Sequence, residues 1–119
     1  MVNRCDVCWL PSASSPCSER CRGLRRRKAE LMVHRAEIGE LVISELARLV
    51  DGATACPGTV CKRILDARGV VLDARDALLC LRELLFALRA AKRLRFFQKG
   101  RVVPPGKETI RGPFRLGLR

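Results

Sequence analysis

The stretch Asp73–Val103 constrains the fold more than any other, because a strongly apolar helix runs directly into a short, basic strand pair. Ala77, Leu81, Leu84, Leu85, Leu88 and Ala91 recur at spacings of three and four, which predicts one buried face over roughly Ala74–Arg93. Leu78, Leu79 and Phe86 widen that stripe, so the helix has to be covered on more than one side. Leu94–Gln98 and Arg101–Val103 then switch to aromatic and β-branched residues, and Lys99-Gly100 between them suits a two-residue hairpin turn.

The elements around this stretch follow from the same periodicities. Ile38, Leu41, Val42, Leu46, Leu49 and Val50 predict a first helix over Glu37–Asp51, set against Glu37, Glu40 and Arg48 and ended by Asp51-Gly52. A shorter helix is predicted next, with Thr54 or Cys56 near its cap, Pro57 at its first position, a stripe of Val60, Cys61, Ile64 and Leu65, and Gly69 at its end. Asp73 is the natural cap of the third helix. At the chain's end Phe114, Leu116 and Leu118 alternate with Arg115, Gly117 and Arg119, the pattern of a strand with one face in the core and its arginines outward. Pro104–Gly112 is rich in turn formers and reads as the loop before it. Three helices, a hairpin and a strand, in that order, are the parts of a winged helix. The expected class is α+β, mostly α, with a winged-helix-like domain over residues 36–119 and a small cysteine-rich segment with a basic helix over residues 1–35.

The net charge of +12 is unevenly placed, and its placement points to a partner. Residues 18–35 hold seven Lys/Arg against Glu19 and Glu30, residues 36–88 carry a small acidic excess, and the last thirty-one residues hold ten Lys/Arg against Glu108 alone. Two basic ends around a near-neutral middle favour a polyanion. Nucleic acid ranks ahead of a membrane because no basic amphipathic helix has a suitable exposed apolar face. The candidate contacts are Arg25, Arg26, Arg27 and Lys28 on the basic helix, and Arg95, Lys99, Arg101, Arg111 and Arg115 on the wing and tail. Arginine suits bidentate phosphate contact, although nineteen Arg among twenty-four cations also fits the coding bias of a GC-rich genome. Asp73 and Asp76 at the start of the third helix would repel phosphate, so contact through wing and tail to backbone phosphates is expected rather than base reading by that helix.

Seven cysteines in a chain with a conventional core read as reduced thiols and a metal site, not as a secreted disulfide scaffold. Cys5, Cys8, Cys17 and Cys21 lie close enough in sequence to hold one Zn2+ tetrahedrally, with Ser18 capping a helix whose first turn contains Cys21. Nothing in residues 36–119 needs those ligands to complete its apolar stripes, so the two parts are expected to be separable. No run of about 18 uncharged apolar residues exists, and Cys5 and Pro11 interrupt any apolar leader, so an intracellular protein is expected, cytoplasmic or associated with nucleoid or ribonucleoprotein. An enzyme is not expected: there is no tyrosine, a single histidine (His34), no Gly-rich phosphate loop and no convergent carboxylate pair. Two other readings stay open: a protein–protein adaptor or homodimer using the apolar third helix, and a thiol-dependent enzyme using Cys56 at a helix start.

Cys17-Ser18-Glu19-Arg20-Cys21-Arg22 resembles the second half of small bacterial zinc-binding domains, among them the small gyrase-inhibitor family and a zinc-ribbon-like family. Pro16 stands where those families keep an aromatic residue. Cys56-Pro57-Gly58-Thr59-Val60, Gln98-Lys99-Gly100-Arg101 and Arg111-Gly112-Pro113-Phe114-Arg115-Leu116 together resemble a bacterial winged-helix-like family catalogued only as a domain of unknown function. The resemblance covers about Glu37–Arg119 and implies a fold with no established activity. Some members carry a cysteine-rich segment ahead of the domain, which matches this chain's layout.

Overall fold

The computed structural model describes residues 19–50, 53–103 and 113–118. These form α1 (Glu19–Met32), α2 (Arg35–Ala47), α3 (Pro57–Ala67), α4 (Ala74–Ala90), β1 (Arg95–Gln98), β2 (Arg101–Val103) and β3 (Arg115–Gly117), an α+β arrangement that is mostly helical. The antiparallel sheet runs in the order β2-β1-β3.

Helix α4 is the centre. The Asp73 carboxylate caps it by accepting from the Asp76 amide at 2.8 Å, and Ala77, Cys80, Leu81, Leu84, Leu85 and Leu88 are buried. The helix stops short of the predicted Arg93 because Lys92 adopts a left-handed conformation, with φ 62°. The Lys92 amide donates to the Arg89 carbonyl and the Arg93 amide to the Leu88 carbonyl, both at 2.9 Å, which closes the helix end as a Schellman motif and turns the chain into β1. Ala91, expected on the buried face, is exposed at the cap.

Helix α3 has the cap the sequence suggests, with Cys56 extended at the N-cap and Pro57 in the first turn. It ends at Gly69, whose φ of 79° is the left-handed backbone that glycine adopts without strain. Helix α2 departs from expectation. It spans Arg35–Ala47 rather than Glu37–Asp51, and only Ile38, Gly39, Val42 and Leu46 are buried. The stripe at spacing four faces the core, whereas Leu41 lies off that line at 37% exposure, and Val50, beyond the helix end, is 81% exposed.

Helix α1 joins this core. Cys21, Leu24 and Leu31 are buried in the cluster that α2, α3 and α4 build, and the Cys80 thiol lies 3.9 Å from the Leu24 carbonyl. Acids of α4 meet cations of α1: Arg20 pairs with Asp76 and approaches Asp73 at 3.9 Å, and Lys28 pairs with Glu83 at 2.5 Å. The apolar face of α1 therefore extends the core across the position where the sequence suggests a boundary.

The sheet closes the other side of α4. Lys99 and Gly100 take φ of 51° and 77°, the two positive values of a type I′ turn, and Gln98 pairs with Arg101 across it. Strand β3 contributes the fully buried Leu116, with Phe114 and Leu118 half-buried and Arg115 exposed, as the alternation predicts. Ala55, between α2 and α3, extends the sheet by exchanging two 2.8 Å backbone hydrogen bonds with Leu116.

Candidate functional site

The hairpin is the candidate cationic surface. Arg95, Lys99 and Arg101 are all exposed on β1, β2 and their turn, and the hairpin carries no acid. Arg115 stands on the other side of β1, opposite Phe97. It is clamped rather than free, since its Nε donates to Thr54 Oγ1 at 2.7 Å and its Nη2 to the Thr54 carbonyl at 2.8 Å. Arg115 can offer charge at that edge but not a fully available guanidinium.

The other predicted cations divide. On α1, Arg25 and Arg26 are exposed, Arg27 pairs with Glu30 at 3.2 Å, and Lys28 is turned onto Glu83 with its side chain only 17% exposed. The four consecutive cations thus do not form one phosphate-facing row, because 100° per residue spreads them around the helix. Arg111 lies outside the described residues. Near α4's end, Arg93 is paired with Glu40 at 2.5 Å, which holds that carboxyl below its ordinary pKa and raises that of Arg93.

Sequence reasoning missed a cleft of about 270 Å³ between the end of α4 and the outer edge of the hairpin. Arg89, Lys92 and Arg95 line it together with Leu94, Val102 and Val103. Among the described residues Arg89 is the buried charge, at 5% exposure. Its guanidinium carbon sits 5.1 Å from the Phe86 ring centroid and 4.6 Å from that of Phe96, so cation–π attraction offsets part of its desolvation. Burial lowers its pKa, but an arginine remains charged there at any ordinary pH. Phe96 is itself fully buried, edge-on to Phe86 at 5.2 Å and 4.6 Å from Phe114. The only advance signal was an arginine on α4 near the apolar stripe, spaced three from Phe86.

Of the expected zinc ligands, Cys21 sits in the first turn of α1 and is 5% exposed, while Cys5, Cys8 and Cys17 lie outside the described residues. Among the described residues no group of three or more His, Cys, Asp or Glu side chains is placed to hold a metal. Cys61 and Cys80 are buried, and burial pushes their thiols up to about 12 and about 11. Cys56 is exposed and differs: hydrogen bonding from the Thr59 amide, aided by the Thr59 side chain, the Gly58 amide and the nearby Arg115 charge, lowers its pKa. The apolar stripe proposed as a partner surface is largely consumed within the chain, since α4 packs on α1, α2 and α3. Among the described residues no helix is long and apolar enough to cross a membrane.

A family model described as protein of unknown function (DUF3253) matches residues 31–119, and the chain belongs to that family. No curated protein matches the chain.

Proposed function

We propose that this DUF3253 protein is a small winged-helix protein that binds nucleic acid through backbone phosphates, using its hairpin as the principal contact. The observation that carries the reading is the contrast between two surfaces. At the start of α4, Asp73 and Asp76 are engaged by Arg20, whereas Arg95, Lys99 and Arg101 are exposed on a hairpin without an acid. A helix whose first turn is acidic and occupied by another helix is poorly suited to a major groove, and a cationic wing is well suited to phosphates. The winged-helix framework is supported by the order α2, α3, α4, hairpin, and by Ala55 joining the sheet between α2 and α3. The role this suits is a DNA-associated regulator or a component of an RNA–protein assembly, acting inside the cell.

Charge reversal of the wing tests it. Replacing Lys99 and Arg101 by Glu is expected to weaken binding across all sequences and to flatten the slope of log affinity against log salt by roughly one unit per lost phosphate contact. Arg75→Ala, at the start of α4, is expected to change little. Titrations at several salt concentrations decide the matter. Wild-type binding by the wing variant, with sequence preference lost in Arg75→Ala, would mean that α4 reads bases after all.

The N-terminal cysteines are proposed to hold one structural Zn2+. The donor set of four thiolates is that of a closed tetrahedral site, and Cys21 stands in the first turn of α1, next to the segment that carries the other three. Elemental analysis is expected to return about one zinc per chain, lost when Cys5 and Cys17 are both replaced by Ser. Reduced protein without zinc would remove the metal from the proposal.

A further inference from the structure

We propose that the cleft between α4 and the hairpin takes one unpaired nucleotide of a bound single strand, with its base against the apolar wall and its phosphate on Lys92. This rests on the nucleic-acid reading above and adds to it a form of the ligand. Two kinds of surface meet in the cleft. Leu94, Val102 and Val103 give an apolar wall, and Arg89, Lys92 and Arg95 bring three cations to the same opening with no acid among the lining residues. A purely phosphate-binding surface has no use for the wall, and an apolar ligand has no use for three charges. A nucleotide uses both.

The size agrees. About 270 Å³ lies just under the range of roughly 300–1,000 Å³ in which drug-sized ligands and large cofactors sit, so the cleft suits a single base with its sugar-phosphate rather than an extended molecule. The cations have distinct parts. Arg95 is exposed on β1, and its guanidinium plane can stack on a base held against Val102. Arg89 is held by the Phe86 and Phe96 rings at the cleft's inner side, where it contributes fixed positive charge. Lys92 is a compact point charge at the rim.

Lys92 and Lys99 are the two described non-glycine residues with left-handed backbone, and the α4 closure and the type I′ turn that require it set where these two cations stand. Binding of single strands commonly combines such a cationic track with sites that hold individual bases.

The test blocks the cleft without altering charge. Val102 is 43% exposed on the outer strand β2, so Val102→Met narrows the opening with a longer side chain that offers no aromatic face to a base, and Val71→Met, at an 83% exposed position lining no part of the cleft, is the control. Fluorescently labelled single-stranded oligonucleotides and the matching duplex serve as probes, with thermal unfolding checking both variants. Val102→Met is expected to lower single-strand affinity several-fold, with duplex affinity and salt slope at wild-type values and Val71→Met unchanged. Single-strand binding by Val102→Met at or above wild-type strength, or an equal loss for duplex, overturns the cleft proposal even if the Lys99/Arg101 charge reversal weakens binding. If the wild-type protein binds neither probe, the underlying nucleic-acid reading fails and the cleft proposal falls with it.

Discussion

A fragment beginning at Arg35 is expected to be several kcal/mol less stable than the full chain, or not to unfold cooperatively at all. Removing α1 exposes the α4 surface on which Cys21, Leu24 and Leu31 are buried to 5%, 6% and 5%. Each large buried apolar side chain contributes about 1.5–3 kcal/mol, against a total of about 5–15 kcal/mol for a domain. The loss extends beyond those three residues, because Cys80 and its neighbours on α4 would meet water. The pairs Arg20–Asp76 and Lys28–Glu83 add little, being surface contacts screened by salt. Urea titration of the fragment beside the full chain checks it. A fragment with the full chain's midpoint would mean that α1 is a detachable arm and that residues 36–119 fold independently, as the apolar stripes taken alone suggest. Zinc removal separates the two contributions, since chelation alone leaves α1 in the chain.

The packing of α1 explains why part of this molecule was legible and part was not. The hairpin, the α3 cap and the alternation of β3 each depend on a few adjacent residues: two positive φ values at Lys99-Gly100, Pro57 after an extended Cys56, Leu116 between Arg115 and Gly117. Such features are local, and composition at the position reveals them. The relation of α1 to α4 is not local. Arg20 meets Asp76 across a separation of fifty-six residues and Lys28 meets Glu83 across fifty-five, so cations that read as a phosphate arm and acids that read as a flaw in a groove-binding helix are partly one another's partners. The cleft was hidden for the same reason. Arg89, Lys92 and Arg95 are near in sequence, but only the turn at Lys92 and the return of β2 bring them to one opening with Val102 and Val103. On α2 the apolar periodicity continues past the helix: Leu49 and Val50 follow its end at Ala47, and of the two Leu49 still packs against the core.

Cys56 is expected to be alkylated far faster than Cys61 or Cys80, with a rate that rises through a midpoint below the ordinary thiol pKa. Only the thiolate attacks, so the rate follows the fraction ionised and the access of the sulfur. Cys56 is exposed, and hydrogen bonds from the start of α3 favour its anion; lowering the pH through its depressed pKa protonates the sulfur and removes the reactivity. Cys61 and Cys80 are buried, and with thiols at about 12 and about 11 they hold almost no thiolate near neutrality. The Thr59 amide is the largest cause of the Cys56 shift, so Thr59→Ala, which keeps that amide, is expected to move the midpoint upward only slightly. Iodoacetamide labelling across pH, with modified peptides identified by mass spectrometry, separates Cys56 from the other cysteines. A profile centred at or above the ordinary value would show that the helix start does not activate this thiol, and with it would go the physical basis for a thiol-dependent activity. A low midpoint supports reactivity alone, because nucleophilic catalysis also needs a base and an oxyanion partner. The described groups causing the shift are Thr59, Gly58 and Arg115, of which Arg115 is already engaged with Thr54 and none is a general base.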